Sequence, residues 1–254
     1  VALAFVTKPE IVRQVRQVIN QKCKKLEVAT PKIIAKIERR EAVERFSEIL
    51  AEVDAVMVAR GDLGIEIAPE QVPILQKEFV ELCRSVGKPV VVATQMLDSM
   101  TSHPRATRAE TSDVANAVID HTDGVMLSGE TAAGQYPDVT VKTMSAIIHE
   151  TEASRFDDIT FCQLHDIPDV ATSIAQSLYI MAENQQIDAI ASSVTYGAIA
   201  QKLNIFRPKA PVFLACPSEA IARQNVLRAG VTTVVVGDEP GSFVHKMEAK
   251  LRHD

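Results

Sequence analysis

The chain has no long apolar run, no run of basic residues and no closely spaced cysteines, and each absence argues against a class of protein. A membrane-spanning helix needs about 20 consecutive apolar residues, and a secretion signal needs a basic, then apolar, then small-residue succession. Binding to a nucleic-acid backbone needs clustered Lys and Arg, whereas these 254 residues include 27 basic and 33 acidic ones. We therefore expect a cytoplasmic protein whose partners are neither membranes nor nucleic acids.

The cysteines and histidines lack the spacing of a metal or redox site. The four isolated cysteines predict reduced thiols with structural roles rather than a disulfide framework: Cys23, Cys83, Cys162 and Cys216. The six histidines are equally scattered, and we expect them to lie at the surface or in local hydrogen bonds: His103, His121, His149, His165, His245 and His253.

Apolar segments rich in β-branched residues alternate with segments of helical periodicity in the first part of the chain. Continuously apolar strands are typical of a parallel sheet covered on both faces. The predicted strands are Val1–Val6, Ile33–Ile37, Ala55–Ala59, Pro89–Ala93 and Gly124–Leu127. The predicted helices are Pro9–Lys25, Ala42–Ala51, Pro69–Val86, Thr107–Asp120 and Asp138–Arg155. This α/β pattern predicts five β-α units in the style of a (β/α)8 TIM barrel, and because five units are too few to close a barrel, we expect a partial one.

A polar, turn-rich stretch around residues 156–169 separates this region from a second one. The alternation of strands and helices in the second region predicts a smaller three-layer α/β/α domain. Its expected strands are Ile187–Ser192, Pro211–Ala215 and Thr232–Val236, and its expected helices are Val170–Asn184, Ala198–Phe206, Ser218–Ala229 and Phe243–Leu251. The predicted domains are residues 1–156, the partial barrel, and residues 157–254, an α/β domain that the small strand count suggests is incomplete.

Charged residues stand where two neighbouring predicted strands end. Lys36 and Glu38 close the second strand, and Arg60 and Asp62 follow the third. Alternate strand residues share a face, so Lys36 lies beside Glu38, and Arg60 beside Asp62 if the third strand extends that far. Parallel strands bring these ends to one edge, where two carboxylates suit Mg²⁺ or Mn²⁺ and a lysine suits a phosphoryl group or an enolate.

Polar residues also follow the next two predicted strands. Thr94 ends the fourth strand, and Ser128 and Glu130 follow the fifth. After the third strand, Gly61 permits close approach of the backbone, whose amides suit a substrate carboxylate. Taken singly, a charged strand end is usually a solvated terminus and a threonine there a capping residue. Four successive strands with polar ends favour a shared site.

The segments that carry these residues resemble the pyruvate kinase family in order and spacing. They are Ala35–Glu38, Met57–Ile67, Ala93–Met100, Pro104–Glu110, Asp113–Val118 and Met126–Ala132. The resemblance spans Val1 to about Arg155. It implies a TIM-barrel catalytic domain, a C-terminal domain of regulatory type, and a transferase that moves a phosphoryl group from phosphoenolpyruvate to ADP, giving pyruvate and ATP in the last step of glycolysis. It also implies Mg²⁺ (or Mn²⁺) and K⁺ as cofactors.

The resemblance implies roles residue by residue. Glu38 and Asp62 resemble the divalent-metal ligands, and Lys36 resembles the cation that stabilises the phosphoryl group during transfer. Gly61 and Asp62 resemble part of the loop whose amides receive the substrate carboxylate, and Arg60 resembles the residue that orients it.

Further roles concern proton transfer. Thr94 resembles the threonine near the carbon that accepts a proton as the enolate becomes pyruvate. Ser128 and Glu130 resemble polar groups of the proton-relay region.

The segment Pro104–Glu110 resembles one that lies near a subunit contact, which implies a homotetramer. A helix entry capped by Thr107, with Glu110 as its capping-box partner, explains the same residues locally. Both interpretations stay open on the sequence.

Other family features have no counterpart in this sequence. The first three barrel strands of the family carry the nucleotide contacts, the K⁺ ligands and a phosphate-binding arginine, and a small β domain follows them. Val1–Lys8 resembles the fourth strand, which implies that residues 1–156 are the second half, the last five β-α units, of the (β/α)8 TIM barrel. Ala4 and Thr7 stand where serine and arginine are common in that strand. We therefore expect this sequence to be a fragment that is inactive by itself.

Many family members also bind an activating sugar phosphate in the C-terminal domain. The corresponding segment, Val194–Ala200, keeps Gly197 and has lost most hydroxyl groups, although Ser192, Ser193 and Thr195 remain. A phosphate-binding nest and a plain strand-to-helix turn are both compatible with it, and the turn is favoured.

Two other functions fit part of the pattern. A Mg²⁺-dependent lyase or aldolase that stabilises pyruvate enolate would need two similar carboxylates, but it would need neither a lysine poised for a phosphoryl group nor ADP. A degenerate, non-catalytic subunit would be expected to have lost Lys36, Glu38 or Asp62, and all three are present.

Overall fold

The computed structural model describes residues 1–157, 169–194, 198–237 and 245–248. The chain divides into two compact units: residues 1–158 without 85–87, and residues 159–254 together with 85–87. Among the described residues, no helix is both long enough and apolar enough to cross a membrane.

A parallel sheet of five strands forms the centre of the first unit. Its strands pair in chain order: β1 (Ala2–Leu3), β2 (Ile34–Ile37), β3 (Ala55–Ala59), β4 (Val90–Ala93) and β5 (Gly124–Met126). The helices of the unit are α1 (Pro9–Leu26), α2 (Arg40–Glu44), α3 (Phe46–Glu52), α4 (Arg60–Glu66), α5 (Val72–Ser85), α6 (Arg108–Ile119), α7 (Gly129–Ala132) and α8 (Pro137–Glu152). Parallel strands in sequential order with helices between them are the repeating units of a (β/α)8 barrel, so the predicted partial barrel is confirmed.

Local chemistry explains where the long helices begin. Pro9 and Pro137 occupy the first turns of α1 and α8, where proline has the right φ and its missing N–H costs nothing. Thr107 and Glu110 form a complete capping box at the start of α6. These starts lie within two residues of the predicted ones.

The structure differs from the predictions at several element boundaries. Strand β1 is much shorter than the predicted Val1–Val6. The predicted helix Ala42–Ala51 is two helices, because Arg45 between them has φ −114° and ψ 23°, outside helical geometry. The short helices α4 and α7 were not predicted, since α4 directly follows β3, α7 has only four residues, and neither has an apolar periodicity of its own.

The core of the first unit lies between the sheet and its helices. Alternation is clearest in β2, where Ala35 and Ile37 are fully buried and Lys36 is partly exposed. All four residues of β4 are buried. The rings of Phe46 and Phe79 stack 4.1 Å apart, joining α3 to α5. Helices therefore cover one face of the sheet and leave the end of β2 available for charged groups.

The second unit contains a parallel three-stranded sheet in the order β6 (Ile190–Ser193), β7 (Val212–Cys216) and β8 (Val231–Val235). Among the described residues of this unit, the helices are α9 (Val170–Glu183), α10 (Ala198–Phe206) and α11 (Glu219–Arg223), and residues 245–248 are also helical. Helix α11 ends earlier than the predicted Ala229. The Asn225 side chain donates to the Ile221 carbonyl, a local bond of the type that competes with helix continuation.

Candidate active site

The strand register places the predicted polar clusters at one edge of the sheet. Ala59 of β3 pairs with Ala93 of β4, and Ala93 pairs with Met126 of β5. On the other side, Ile37 of β2 pairs with Val58. The residues that follow these four strands therefore leave the sheet at nearly the same level.

Lys36 and Glu38 form an ion pair at the end of β2. Lys36 Nζ lies 2.7 Å from Glu38 Oε2, and the Glu38 side chain is only 2% exposed. The Phe5 amide donates to the other oxygen, Oε1, at 2.6 Å. Oε2 is buried without a hydrogen bond of good geometry, so the charge of Lys36 is its compensation. A buried carboxylate oxygen of this kind suits a cation.

Arg60 and Asp62 do not lie on a strand, because β3 ends at Ala59 and helix α4 begins at Arg60. The extended-strand arrangement that would place them on one face is therefore wrong. Arg60 turns into the protein, where its side chain is 10% exposed, while Asp62 in the first helical turn is exposed to solvent.

Gly61 and Thr94 connect the ends of β3 and β4. The Gly61 amide donates to Thr94 Oγ1 at 2.7 Å. A Cβ added to Gly61 would lie 3.2 Å from the same oxygen, so glycine permits this approach. Thr94 and Gln95 have φ values of 71° and 54°, a left-handed conformation that costs a β-branched residue about 1–3 kcal/mol. The threonine predicted to act on substrate is thus held in a strained loop.

Arg60 holds that loop from one side. Its Nη2 donates to the carbonyl oxygens of Thr94 and Gln95 at 3.0 and 3.2 Å. Its guanidinium also meets the Asp113 carboxylate through two contacts of 2.7 Å, and Nη1 donates to Gln76 Oε1 at 3.3 Å. Asp113 and Gln76 were not predicted as partners of Arg60, since they lie inside helices 53 and 16 residues further along the chain. For Asp113, its place in a family-like segment was the available signal.

Glu130 holds the loop from the other side. Its side chain is 1% exposed. Oε1 accepts from the Leu97 amide at 3.2 Å, and Oε2 accepts from the Ser128 amide at 2.7 Å. Ser128 Oγ is buried and has no hydrogen-bond partner among the described residues. Glu130 therefore joins the segments that follow β4 and β5, beside the predicted proton-transfer residues Thr94 and Ser128.

The predicted metal ligands lie in different segments, since Glu38 directly follows β2 and Asp62 belongs to α4. Among the described residues there is no group of three or more His, Cys, Asp or Glu side chains arranged to hold an ion. A set of one or two carboxylates is nevertheless usual for Mg²⁺, which keeps waters and substrate oxygens in its coordination sphere. The buried oxygen of Glu38 and the exposed carboxylate of Asp62 fit such a set.

The segment before α6 has a complete local explanation. The Thr107 amide donates to Glu110 Oε2 at 2.8 Å, and the Glu110 amide donates to Thr107 Oγ1 at 3.2 Å. Glu110 also accepts from the amide and hydroxyl of Ser99 at 2.7 and 2.6 Å. Burial raises the pKa of Glu110, but the bonds from Ser99 and Thr107 outweigh it and lower the pKa below its ordinary value.

The segment Val194–Ala200, for which the sequence favours a strand-to-helix turn over a phosphate-binding nest, lies partly outside the described residues, which omit 195–197. Ser192 and Ser193 belong to β6, and Ser193 is buried.

Comparison with known proteins identifies relatives for both units. The family model described as "Pyruvate kinase, barrel domain" matches residues 1–141, and "Pyruvate kinase, alpha/beta domain" matches residues 172–253. A pyruvate kinase of Staphylococcus epidermidis is 43% identical over 241 residues, and one of Staphylococcus aureus is 41% identical over 241 residues. Each alignment covers 92% of this chain and 40% of the relative.

A solved structure agrees with these sequence relatives. A pyruvate kinase from Cryptosporidium parvum matches with a TM-score of 0.89 and 34% identity. The match covers 99% of this chain and 52% of that protein. The chain thus spans about half the length of the solved relative and 40% of the length of each bacterial relative.

Proposed function

Because the chain belongs to the pyruvate kinase family, we propose that it forms part of an enzyme that transfers the phosphoryl group of phosphoenolpyruvate to ADP, giving pyruvate and ATP. The observation that carries the proposal is the alignment of four strand ends, with the Lys36–Glu38 pair at the end of β2 and the Gly61–Thr94 contact between the segments that follow β3 and β4. A phosphoryl donor with a carboxylate needs both parts: charge for its phosphate and backbone donors for its carboxylate.

Lys36, Glu38 and Asp62 form the phosphoryl end of the proposed site. Glu38 and Asp62 would hold Mg²⁺ or Mn²⁺, which when bound supplies positive charge to phosphoryl oxygens. Lys36 contributes a second positive charge, and its ion pair with buried Glu38 keeps the ammonium group at the strand end. Positioning and charge neutralisation account for most of the catalysis of phosphoryl transfer.

Gly61, Thr94 and Ser128 form the carboxylate and proton-transfer end. The Gly61 amide donates to Thr94 Oγ1 at 2.7 Å, and a substrate carboxylate bound here would share or replace this acceptor. The Thr94 hydroxyl would then stand next to the enolate carbon that becomes the methyl group of pyruvate. Glu130 joins the Ser128 amide to the amide of Leu97, three residues after Thr94, and Arg60 donates to the carbonyl of Thr94.

Family membership supports three further proposals. The complete enzyme would require K⁺, whose ligands are outside the residues assigned here, and it would be a cytoplasmic homotetramer. The Pro104–Glu110 segment is the proposed subunit contact, although the capping box and the Ser99 bonds account for its conformation without one.

Kinetics of the complete gene product test the proposed activity. We expect pyruvate formation from phosphoenolpyruvate that requires both ADP and a divalent ion. Lys36→Met should lower kcat by about 100-fold or more, because charge stabilisation of the transferred group is lost. Lys32→Met is the matched control: Lys32 precedes the same strand at its opposite end, is 55% exposed, and pairs with Asp54.

The same assay separates the alternatives. Pyruvate release from a suitable substrate without ADP would favour the lyase, and absence of all turnover in the complete protein would favour a non-catalytic subunit. Equal kcat values for the Lys36→Met and Lys32→Met variants would remove Lys36 from the proposed mechanism.

A further inference from the structure

Asp113 has no assigned part in the proposed reaction, yet it makes the closest charged contact of Arg60. It lies in the middle of α6, and its two carboxylate oxygens meet Nη1 and Nη2 of Arg60 at 2.7 Å each. Such a two-point contact fixes the plane of a guanidinium as well as its position.

The guanidinium that Asp113 fixes is the one that holds the Thr94 loop. Arg60 Nη2 donates to two successive carbonyls, those of Thr94 and Gln95, whose residues have positive φ. A left-handed conformation at a threonine persists only when its surroundings impose it. The orientation of Arg60 is therefore coupled to the loop conformation, and through it to the bond between Thr94 Oγ1 and the Gly61 amide.

We propose that Asp113 is a positioning residue, which acts through Arg60 to hold Thr94 against the Gly61 amide; this inference rests on the proposed function. Without the carboxylate, the remaining partners of Nη1 and Nη2 are neutral oxygens and the Met96 sulfur, and these do not define the guanidinium plane as a carboxylate does.

A second Arg–Asp pair in the same unit provides a matched control. Arg16 Nη2 lies 3.0 Å from Asp54 Oδ2. Asp54 also accepts from the amide of Ile33, just before β2, so this pair is at the opposite edge of the sheet from the site. Loss of the Arg16–Asp54 pair should lower stability and leave the conformation of the Thr94 loop unchanged.

The experiment compares Asp113→Asn, Asp113→Glu and Asp54→Asn in the complete gene product. Two quantities are measured: kcat and KM for phosphoenolpyruvate, and hydrogen exchange at the Gly61 amide by NMR or peptide-resolved mass spectrometry. We expect Asp113→Asn to lower kcat by about 10- to 100-fold through misplacement of Thr94. The Gly61 amide should exchange about tenfold faster or more as its bond to Thr94 loosens.

Asp113→Glu retains the charge, so it should fold even if the asparagine variant does not. Its kcat and the protection of its Gly61 amide should lie between those of the wild type and those of Asp113→Asn. Asp54→Asn should lower thermal stability while kcat stays within about twofold and the Gly61 amide stays protected. A normal kcat and a protected Gly61 amide in both Asp113 variants would overturn the proposal, as would an equal loss in Asp54→Asn. If the wild-type protein transfers no phosphoryl group, the proposed function fails, and amide exchange alone decides whether Asp113 positions the loop.

Discussion

Glu38 lies two residues after Lys36 on one strand end, and its buried Oε2 is 2.7 Å from the lysine Nζ. The carboxylate is thus already matched to a positive charge before any metal ion binds. A divalent ion held by Glu38 would add its positive charge to that of Lys36 at the same strand end, and phosphoryl transfer is favoured by such charge neutralisation.

Removal of one carboxylate charge should separate metal binding from phosphoryl transfer. Glu38→Gln and Asp62→Asn should each weaken Mn²⁺ binding by about tenfold or more and reduce kcat together, because an amide is a poorer ligand for a hard cation. Lys36→Met should reduce kcat and leave Mn²⁺ affinity largely intact. Titration of free Mn²⁺ by electron paramagnetic resonance measures the affinities.

Glu66→Gln is the control for Asp62→Asn, since Glu66 is on the same short helix and pairs with Arg39. It should leave Mn²⁺ affinity unchanged. Normal Mn²⁺ binding by the Asp62→Asn variant would show that the metal site is elsewhere.

The pH dependence of stability should report on Asp54. Burial raises the pKa of Asp54, but the Ile33 amide, Arg16 and Lys32 outweigh burial and bring the pKa below its ordinary value. A carboxyl group with a lowered folded-state pKa stabilises the fold above its unfolded pKa of about 3.9, and this contribution is lost as pH falls through the folded value. Asp54→Asn should therefore cost about 1–3 kcal/mol at neutral pH and less in acid.

Thermal unfolding of this variant and the wild type between neutral pH and acid tests the claim. For Asp54→Asn, the difference in stability from the wild type should shrink as the pH falls. Glu150→Gln, which changes an exposed carboxylate on α8, should show no such decrease. A wild-type-minus-variant difference that stays constant through the acid range would contradict the role of the Asp54 charge.

The capping box should account for a measurable part of the stability of α6. Thr107→Ala removes the acceptor for the Glu110 amide and should lower the free energy of unfolding by about 1 kcal/mol. Ser112→Ala, an exposed site inside the same helix, should be neutral or slightly stabilising because alanine favours helix. Chemical denaturation measures both variants, and equal stabilities would show that the cap contributes nothing.

The rate at which a thiol reagent labels each cysteine should be lower for a buried cysteine than for an exposed one. Cys83 in α5 is fully buried and free, and burial raises the pKa of its thiol, so little reactive thiolate is accessible in the folded protein. Cys23 in α1 is partly exposed. N-ethylmaleimide should modify Cys23 in the native protein and Cys83 only when urea unfolds it, as peptide mapping would show. Labelling of the two at equal rates under native conditions would contradict the packing around α5.

The predictions that succeeded rest on local patterns. Unbroken apolar runs predicted the parallel strands, and the Thr107–Glu110 spacing predicted the α6 cap, because each depends on residues close together in the chain. Helix α4 was missed because Arg60, Gly61 and Asp62 follow β3 directly and carry no apolar period. Asp113 was missed as the partner of Arg60 because the contact joins residues far apart in sequence.

The sequence by itself determined that the chain alternates strands and helices, that charged and hydroxyl residues end four successive strands, and that their order is that of the pyruvate kinase family. Composition and periodicity carry this information because they govern which segments can be buried. The tertiary structure decided which of these residues touch: Phe5 with Glu38, Gly61 with Thr94, and Arg60 with Asp113. Those contacts depend on strand register and on a left-handed turn at Thr94, and both are set by packing between segments that are distant in the chain.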